Sequence, residues 1–307
     1  MKKNRIIINC FVLLMALGAI STFLWGCTEN AKSKETDNSV GPVAEASSEM
    51  DKSGKEDVVS DDISSTESSD AISDAIPAGA SVLMKCYPDF VKGYKDGKLL
   101  MSDGTTLVYD DGRKKTFEQK LDDADVEDMF AFEYNRESAV PEYQQDAGRS
   151  RCEQLFKKMY GESESAVRKK LIKVNWFGQN VLFTPVNGAA DHLKAVASEL
   201  SKLPQYKKYM RSEGTFYWRK VRGANRQSAH SYGMTIDIGG DFKTYWLWSN
   251  PGAKETSRIK YENKMPLEIV KIFEKHGFIW GGRWYHYDTM HFEYRPEILM
   301  YENEKKF

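Results

Sequence analysis

Residues 28–76 contain no Phe, Trp or Tyr and are crowded with Ser, Asp and Glu. Such a stretch cannot bury enough apolar surface to offset the entropy of ordering, so a folded unit is excluded there and a flexible tether is expected. Over this length a random coil spans roughly 40 Å. Cysteine is scarce: of four in the chain, Cys10 and Cys27 lie in the first 27 residues. That leaves Cys86 and Cys152 for the folded part, either as a single disulfide or as two buried thiols. Histidine is scarcer still for a chain of 307 residues, with five in all. No internal repeat is visible. The acidic cluster Asp122, Asp123, Asp125, Glu127 and Asp128 lacks the central glycine and closing glutamate of a calcium loop, which leaves a solvated helix start as its reading.

The near balance of 44 basic and 45 acidic residues conceals a division. Residues 28–76 carry 13 acidic and 4 basic side chains, and residues 77–307 carry 32 and 37, so an acidic tether precedes a basic folded part. Ahead of both, Lys2, Lys3 and Arg5 introduce an apolar stretch ending in Leu24-Trp25-Gly26-Cys27. This is a secretory signal pattern, and its end resembles the bacterial lipobox, which implies lipidation at Cys27. The alternative is an uncleaved membrane anchor. Either way the expected location is the extracytoplasmic face of the cell membrane, with the tether holding the folded part within reach of a cell wall.

Within the folded part, Asp-Gly pairs at 96–97, 103–104 and 111–112 separate short apolar runs and predict β-hairpins. Helices are expected over 151–160, 164–173, 189–203 and 266–276, and strands through 215–219, 234–238, 245–248 and 290–294. Helices first and strands later imply an α+β fold, an antiparallel sheet with flanking helices. The expected division is a signal at 1–27, a tether at 28–76, a small hairpin-rich region at 77–150 and a catalytic domain at 151–307.

The chemistry gathers in two segments. In Met234-Thr-Ile-Asp-Ile238 the apolar side chains alternate with Thr235 and Asp237, so on a strand the aspartate leaves the apolar face. Gly233 permits a sharp turn that returns His230 toward Asp237. In Met290-His-Phe-Glu-Tyr294, His291 and Glu293 share the side away from Met290, Phe292 and Tyr294. If these strands are neighbours, His230, Asp237 and His291 converge. Two imidazoles and one carboxylate with an open position form the donor set of a catalytic zinc site; the same set also serves non-haem iron. Asp288, three residues before His291, is placed to take a proton from water and return it to a leaving amine.

Ser228-Ala-His230-Ser-Tyr-Gly233-Met-Thr-Ile-Asp237, followed by Gly281-Gly282-x-Trp284 and Asp288-Thr-Met-His291-Phe, resembles the zinc peptidases of the D-alanyl-D-alanine carboxypeptidase family. These are the VanY-like and VanX-like enzymes and the L-alanyl-D-glutamate endopeptidases. The resemblance covers about residues 210–296, and Thr235 stands where the family usually has alanine. It implies Zn2+ as cofactor, His230, Asp237 and His291 as its ligands, and Asp288 as catalytic base. It also implies an arginine for the substrate carboxylate or carbonyl oxygen, with Arg219 the first choice and Arg226 the second. Ser228 and Trp284 are further substrate-binding candidates, and Trp248, Trp280 and Tyr285 candidate cleft walls. His286 is read either as an accessory to Asp288 or as structural, His276 as a helix-end residue and His192 as surface or capping. The expected substrate is a peptidoglycan stem peptide, cut at a terminal D-alanine or at an internal bond, and no nucleic acid is an expected partner. A non-catalytic, metal-stabilised wall-binding domain is the competing reading.

Overall fold

A computed structural model describes residues 75–306. The signal segment, the Cys27 lipidation site and all but the last two residues of the tether lie outside the described residues. Helix α1 (Ala78–Cys86) leads into strands β1 (Val91–Lys95), β2 (Lys98–Met101) and β3 (Thr106–Val108). Then come α2 (Phe117–Asp122), α3 (Glu153–Tyr160) and α4 (Glu164–Lys170), the hairpin β4 (Ile172–Trp176) and β5 (Gln179–Phe183), and α5 (Ala189–Leu200). The C-terminal part holds β6 (Ser212–Gly214), β7 (Thr235–Ile238), α6 (Trp246–Ser249), α7 (Leu267–Lys275), β8 (Phe278–Trp280), β9 (His291–Tyr294) and α8 (Pro296–Glu304). The fold is α+β, with three small antiparallel sheets ordered β1-β2-β3, β4-β5 and β6-β7-β9-β8.

Two of the three Asp-Gly signals join strands. Asp96 and Gly97 both take positive φ (50° and 73°), as a two-residue hairpin requires, and pair β1 with β2; Asp103-Gly104 links β2 to β3. The third leads instead into coil and α2. There the acidic cluster is a solvated helix start only in part: Asp122, Asp123 and Glu127 are exposed and a 3-10 turn opens at Glu127, but Asp125 and Asp128 grip the Lys115 ammonium at 2.9 and 2.6 Å, and the lysine side chain is 3% exposed. Three other expectations shift. The helix after Ser163 stops at Lys170, because residues 172–176 pair with β5 across the two-residue turn Phe177-Gly178. Residues 215–219 form no strand, and Trp246–Ser249 is a short helix.

The stripe Leu193, Val196 and Leu200 of α5 is buried as its spacing predicts, and α7 seats Phe273 against Phe292 of β9 with rings 3.9 Å apart. The core containing these residues also takes Leu83 and Tyr87 from α1 and its C-terminus, Leu99 from β2 and Met129, so residues 77–150 and the later sheet share one apolar interior. Cys86 and Cys152 are free thiols, the first 3.8 Å from the Met300 sulfur. No helix among the described residues is long and apolar enough to cross a membrane.

Candidate active site

Strands β7 and β9 are antiparallel neighbours, and their register sets Asp237 directly opposite His291. Gly233 makes the turn before β7 at φ 66°, where an added Cβ would stand 2.5 Å from Leu171, and this turn brings His230 back beside Asp237. The Nε2 of His230 lies 3.3 Å from one oxygen of Asp237, and the Nδ1 of His291 lies 3.0 Å from the other. The remaining nitrogen of each ring is held from behind. His230 Nδ1 is 2.9 Å from both the Thr215 carbonyl and the Thr235 hydroxyl, and His291 Nε2 is 3.3 Å from the Glu293 carboxylate. Each imidazole therefore offers one defined nitrogen to the same point.

This donor set fits a zinc ion. Donors about 2.0–2.1 Å from a tetrahedral zinc stand roughly 3.3 Å apart, and the separations here are 3.3 and 3.0 Å, with all three donor atoms within 4.8 Å of one another. Burial disfavours ionisation of Asp237, but the adjacent His230 and His291 outweigh it and hold the carboxyl well below the usual range. Burial opposes the charge on His291 as well, yet hydrogen bonds to Asp237 and Glu293 push it up to about 10. Asp288 behaves in the opposite way: burial, reinforced by the Asp237 carboxylate, pushes it up to about 7. Its Oδ1 is buried with no hydrogen-bond partner among the described residues. Gly281 lets this segment close up, since a Cβ there would meet the Asp288 carbonyl at 2.5 Å.

These groups line a cavity of about 490 Å³. Ser228, Arg219, Arg226 and Trp284 also line it, so every candidate metal ligand, base and substrate-binding residue taken from the sequence opens on the same space. Their settings differ. Arg219 is exposed, with its guanidinium against the Lys220 carbonyl. Arg226 is buried and paired with Asp122, and burial, with Arg149 and Arg151 nearby, brings it down to about 10. Trp284 ties its indole N–H to the Ala147 carbonyl and sets its ring 5.4 Å from that of His291. Trp248 belongs to the wall, whereas Trp280 is core, donating to the Thr289 carbonyl, and Tyr285 points elsewhere.

Several wall residues had no motif to mark them. Arg149 and Arg151 enter from the loop before α3, and Tyr245 and Trp246 from the start of α6. Arg151 is half-buried and lies 3.6 Å from Glu293, while Arg149 bridges Asp146 and Glu255. Behind β9 a buried chain of charges runs from His291 through Glu293, Arg295 and Glu297 to the Tyr87 hydroxyl. The strand alternation did signal Glu293, which shares a face with His291. Of the other histidines, His276 caps α7 and His192 stacks on Tyr294 with ring centroids 5.1 Å apart.

Residues 222–294 match the family model described as D-alanyl-D-alanine carboxypeptidase. Over this segment the chain is similar to that family of peptidases. The segment spans the turn, both ligand-bearing strands and Asp288. No curated protein and no solved structure matches the chain.

Proposed function

We propose that the protein is a zinc-dependent peptidase that hydrolyses peptidoglycan stem peptides, acting as a D-alanyl-D-alanine carboxypeptidase. The observation that carries this reading is the convergence of His230 Nε2, Asp237 and His291 Nδ1 on one point, with Asp288, whose Oδ1 has no partner among the described residues, in the same cavity wall. His230, Asp237 and His291 would hold the ion. When bound, zinc would supply Lewis acidity toward water and the scissile carbonyl.

The chain's own groups account for the rest. Asp288, near neutrality, is suited to take a proton from the attacking water and return it to the leaving amine. Arg219, exposed in the cavity wall, would take the substrate carboxylate, and the buried Arg226 and half-buried Arg151 lend positive potential to the same space. Trp248 and Trp284 offer flat faces to the peptide, and Ser228 a hydroxyl. The wall-binding alternative leaves Asp288 without a task, because stabilising the fold does not call for a buried carboxyl with an unpaired oxygen beside the metal ligands. Iron oxygenase chemistry likewise gives it none.

An exported, lipid-anchored protein with an acidic tether would present this cavity to the wall. Mass spectrometry of muropeptides after digestion tests the reading and names the bond. Loss of a terminal D-alanine is expected; cleavage between L-alanine and D-glutamate would reassign the enzyme as an endopeptidase, and intact muropeptides with a zinc-loaded protein would refute it.

A further inference from the structure

We propose that His286 is a substrate-binding residue of this cavity, its Nε2 forming a hydrogen bond with the backbone of the bound peptide. The inference rests on the peptidase reading above and adds a contact to it.

The segment 284–288 presents alternate residues to the cavity: Trp284, His286 and Asp288 line it, while Tyr285 and Tyr287 do not. Tyr285 instead bonds the Ser257 carbonyl and Tyr287 packs edge-on against Tyr261. His286 is gripped from behind by one carboxylate. Asp146 accepts the His286 backbone N–H at 3.0 Å through one oxygen and lies 2.6 Å from Nδ1 with the other. Burial opposes the charge on Asp146, but Arg149 at 2.7 Å outweighs it and keeps the carboxyl ionised. An ionised carboxylate only accepts, so Nδ1 carries a hydrogen toward Asp146 and Nε2 is the ring's remaining polar atom. That Nε2 is buried and has no partner among the described residues.

Two other uses of the cluster fit less well. Asp146, Glu255 and His286 are close enough to hold a metal ion, but the Arg149 guanidinium already stands between the carboxylates, 2.7 Å from Asp146 and 2.6 Å from Glu255. A purely space-filling ring among Phe117, Trp246 and Tyr285 would need neither a fixed orientation nor a dedicated carboxylate. What the arrangement supplies is an oriented ring nitrogen in a wall whose carboxylates, Asp237 and Asp288, have tasks at the metal and the water.

The test compares the zinc-loaded full chain with its His286→Phe and His286→Gln variants on an N-acylated peptide ending in D-alanyl-D-alanine. For His286→Phe, KM is expected to rise about tenfold while kcat changes less than about threefold and zinc content is unchanged, because a contact made equally in ground and transition states is lost. His286→Gln, which retains a hydrogen-bonding group, should recover part of the loss. An unchanged KM, or a fall confined to kcat, overturns the proposal. Nitrogen-15 spectra of the wild-type His286 ring, free and with the cleaved product peptide, carry the test should the phenylalanine variant misfold. The Nε2 signal should shift when the peptide binds. Peptide binding that leaves Nε2 unmoved refutes this contact alone, whereas failure of the wild type to bind or cleave the peptide refutes the peptidase reading and the contact with it.

Discussion

Thr235 occupies the strand position where related peptidases usually have alanine, and its surroundings assign it a measurable effect. Its hydroxyl is fully buried, 2.9 Å from His230 Nδ1 and 3.2 Å from the Thr215 carbonyl. It thus helps to fix the ring that offers Nε2 to the metal. Partners behind a ligand imidazole commonly account for 10–100-fold in metal affinity. In Thr235→Ala the Thr215 carbonyl still accepts from Nδ1 at 2.9 Å, so the lower end applies: about tenfold weaker zinc binding, or about 1.4 kcal/mol. Competition with a fluorescent chelator at fixed pH measures this directly. Thr235→Ser keeps the hydroxyl and should restore affinity to within about twofold. Equal zinc affinity in wild type and Thr235→Ala would refute the reasoning, as would a serine variant as weak as the alanine one, since the effect would then belong to the lost methyl.

Two further outcomes follow from the same geometry. Asp288→Asn should lower kcat by about 10²–10⁴ while the protein retains one zinc, as measured by steady-state kinetics and metal analysis; undiminished turnover would remove Asp288 from the mechanism. His291, pushed up to about 10, holds a proton at neutral pH without metal and must lose it to ligate. Zinc binding near pH 7.5 should therefore release about one proton, and affinity should rise about tenfold per pH unit until pH approaches 10; calorimetry in buffers of different ionisation enthalpy checks the count.

The metal-ligand geometry was legible because it follows from period-two alternation. Asp237 and His291 each interrupt an apolar strand, and once β7 and β9 pair, their positions are fixed to within a residue. The turn at Gly233 adds His230 by local geometry alone. Arg149 and Arg151, which line the cavity, and Asp146 behind His286 were not legible in this way, because they come from a loop whose path is set by contacts more than 100 residues away, such as Arg149 with Glu255 and Asp146 with His286. The misread strand at 245–248 shows a related limit. Tyr-Trp-Leu-Trp has strong β propensity, yet the backbone N–H of Trp246 bonds the Tyr287 carbonyl and the chain turns into a short helix there. Tertiary contacts decided the outcome where local preference was not reinforced by alternation.

The same long-range contacts bear on how much of the chain the catalytic unit needs. The family match begins at residue 222, but the buried polar groups of the matched segment find partners well before it. Tyr134 donates to Glu274 and receives the Trp280 N–H, Asp146 holds His286, and Tyr87 donates to Glu297 at the end of the charge chain that leads to His291. A chain beginning at 151 would leave these groups unpaired. Stranding a buried charge costs about 3–5 kcal/mol, whereas a domain has only about 5–15 kcal/mol of stability in all. Residues 151–307 alone should therefore be molten or unfolded and bind zinc weakly, while residues 75–307 should fold cooperatively. Near-ultraviolet circular dichroism and limited proteolysis of the two fragments distinguish these states. Cooperative unfolding of the shorter fragment, with zinc bound as tightly as in the longer one, would show that residues 75–150 merely flank the site instead of building it.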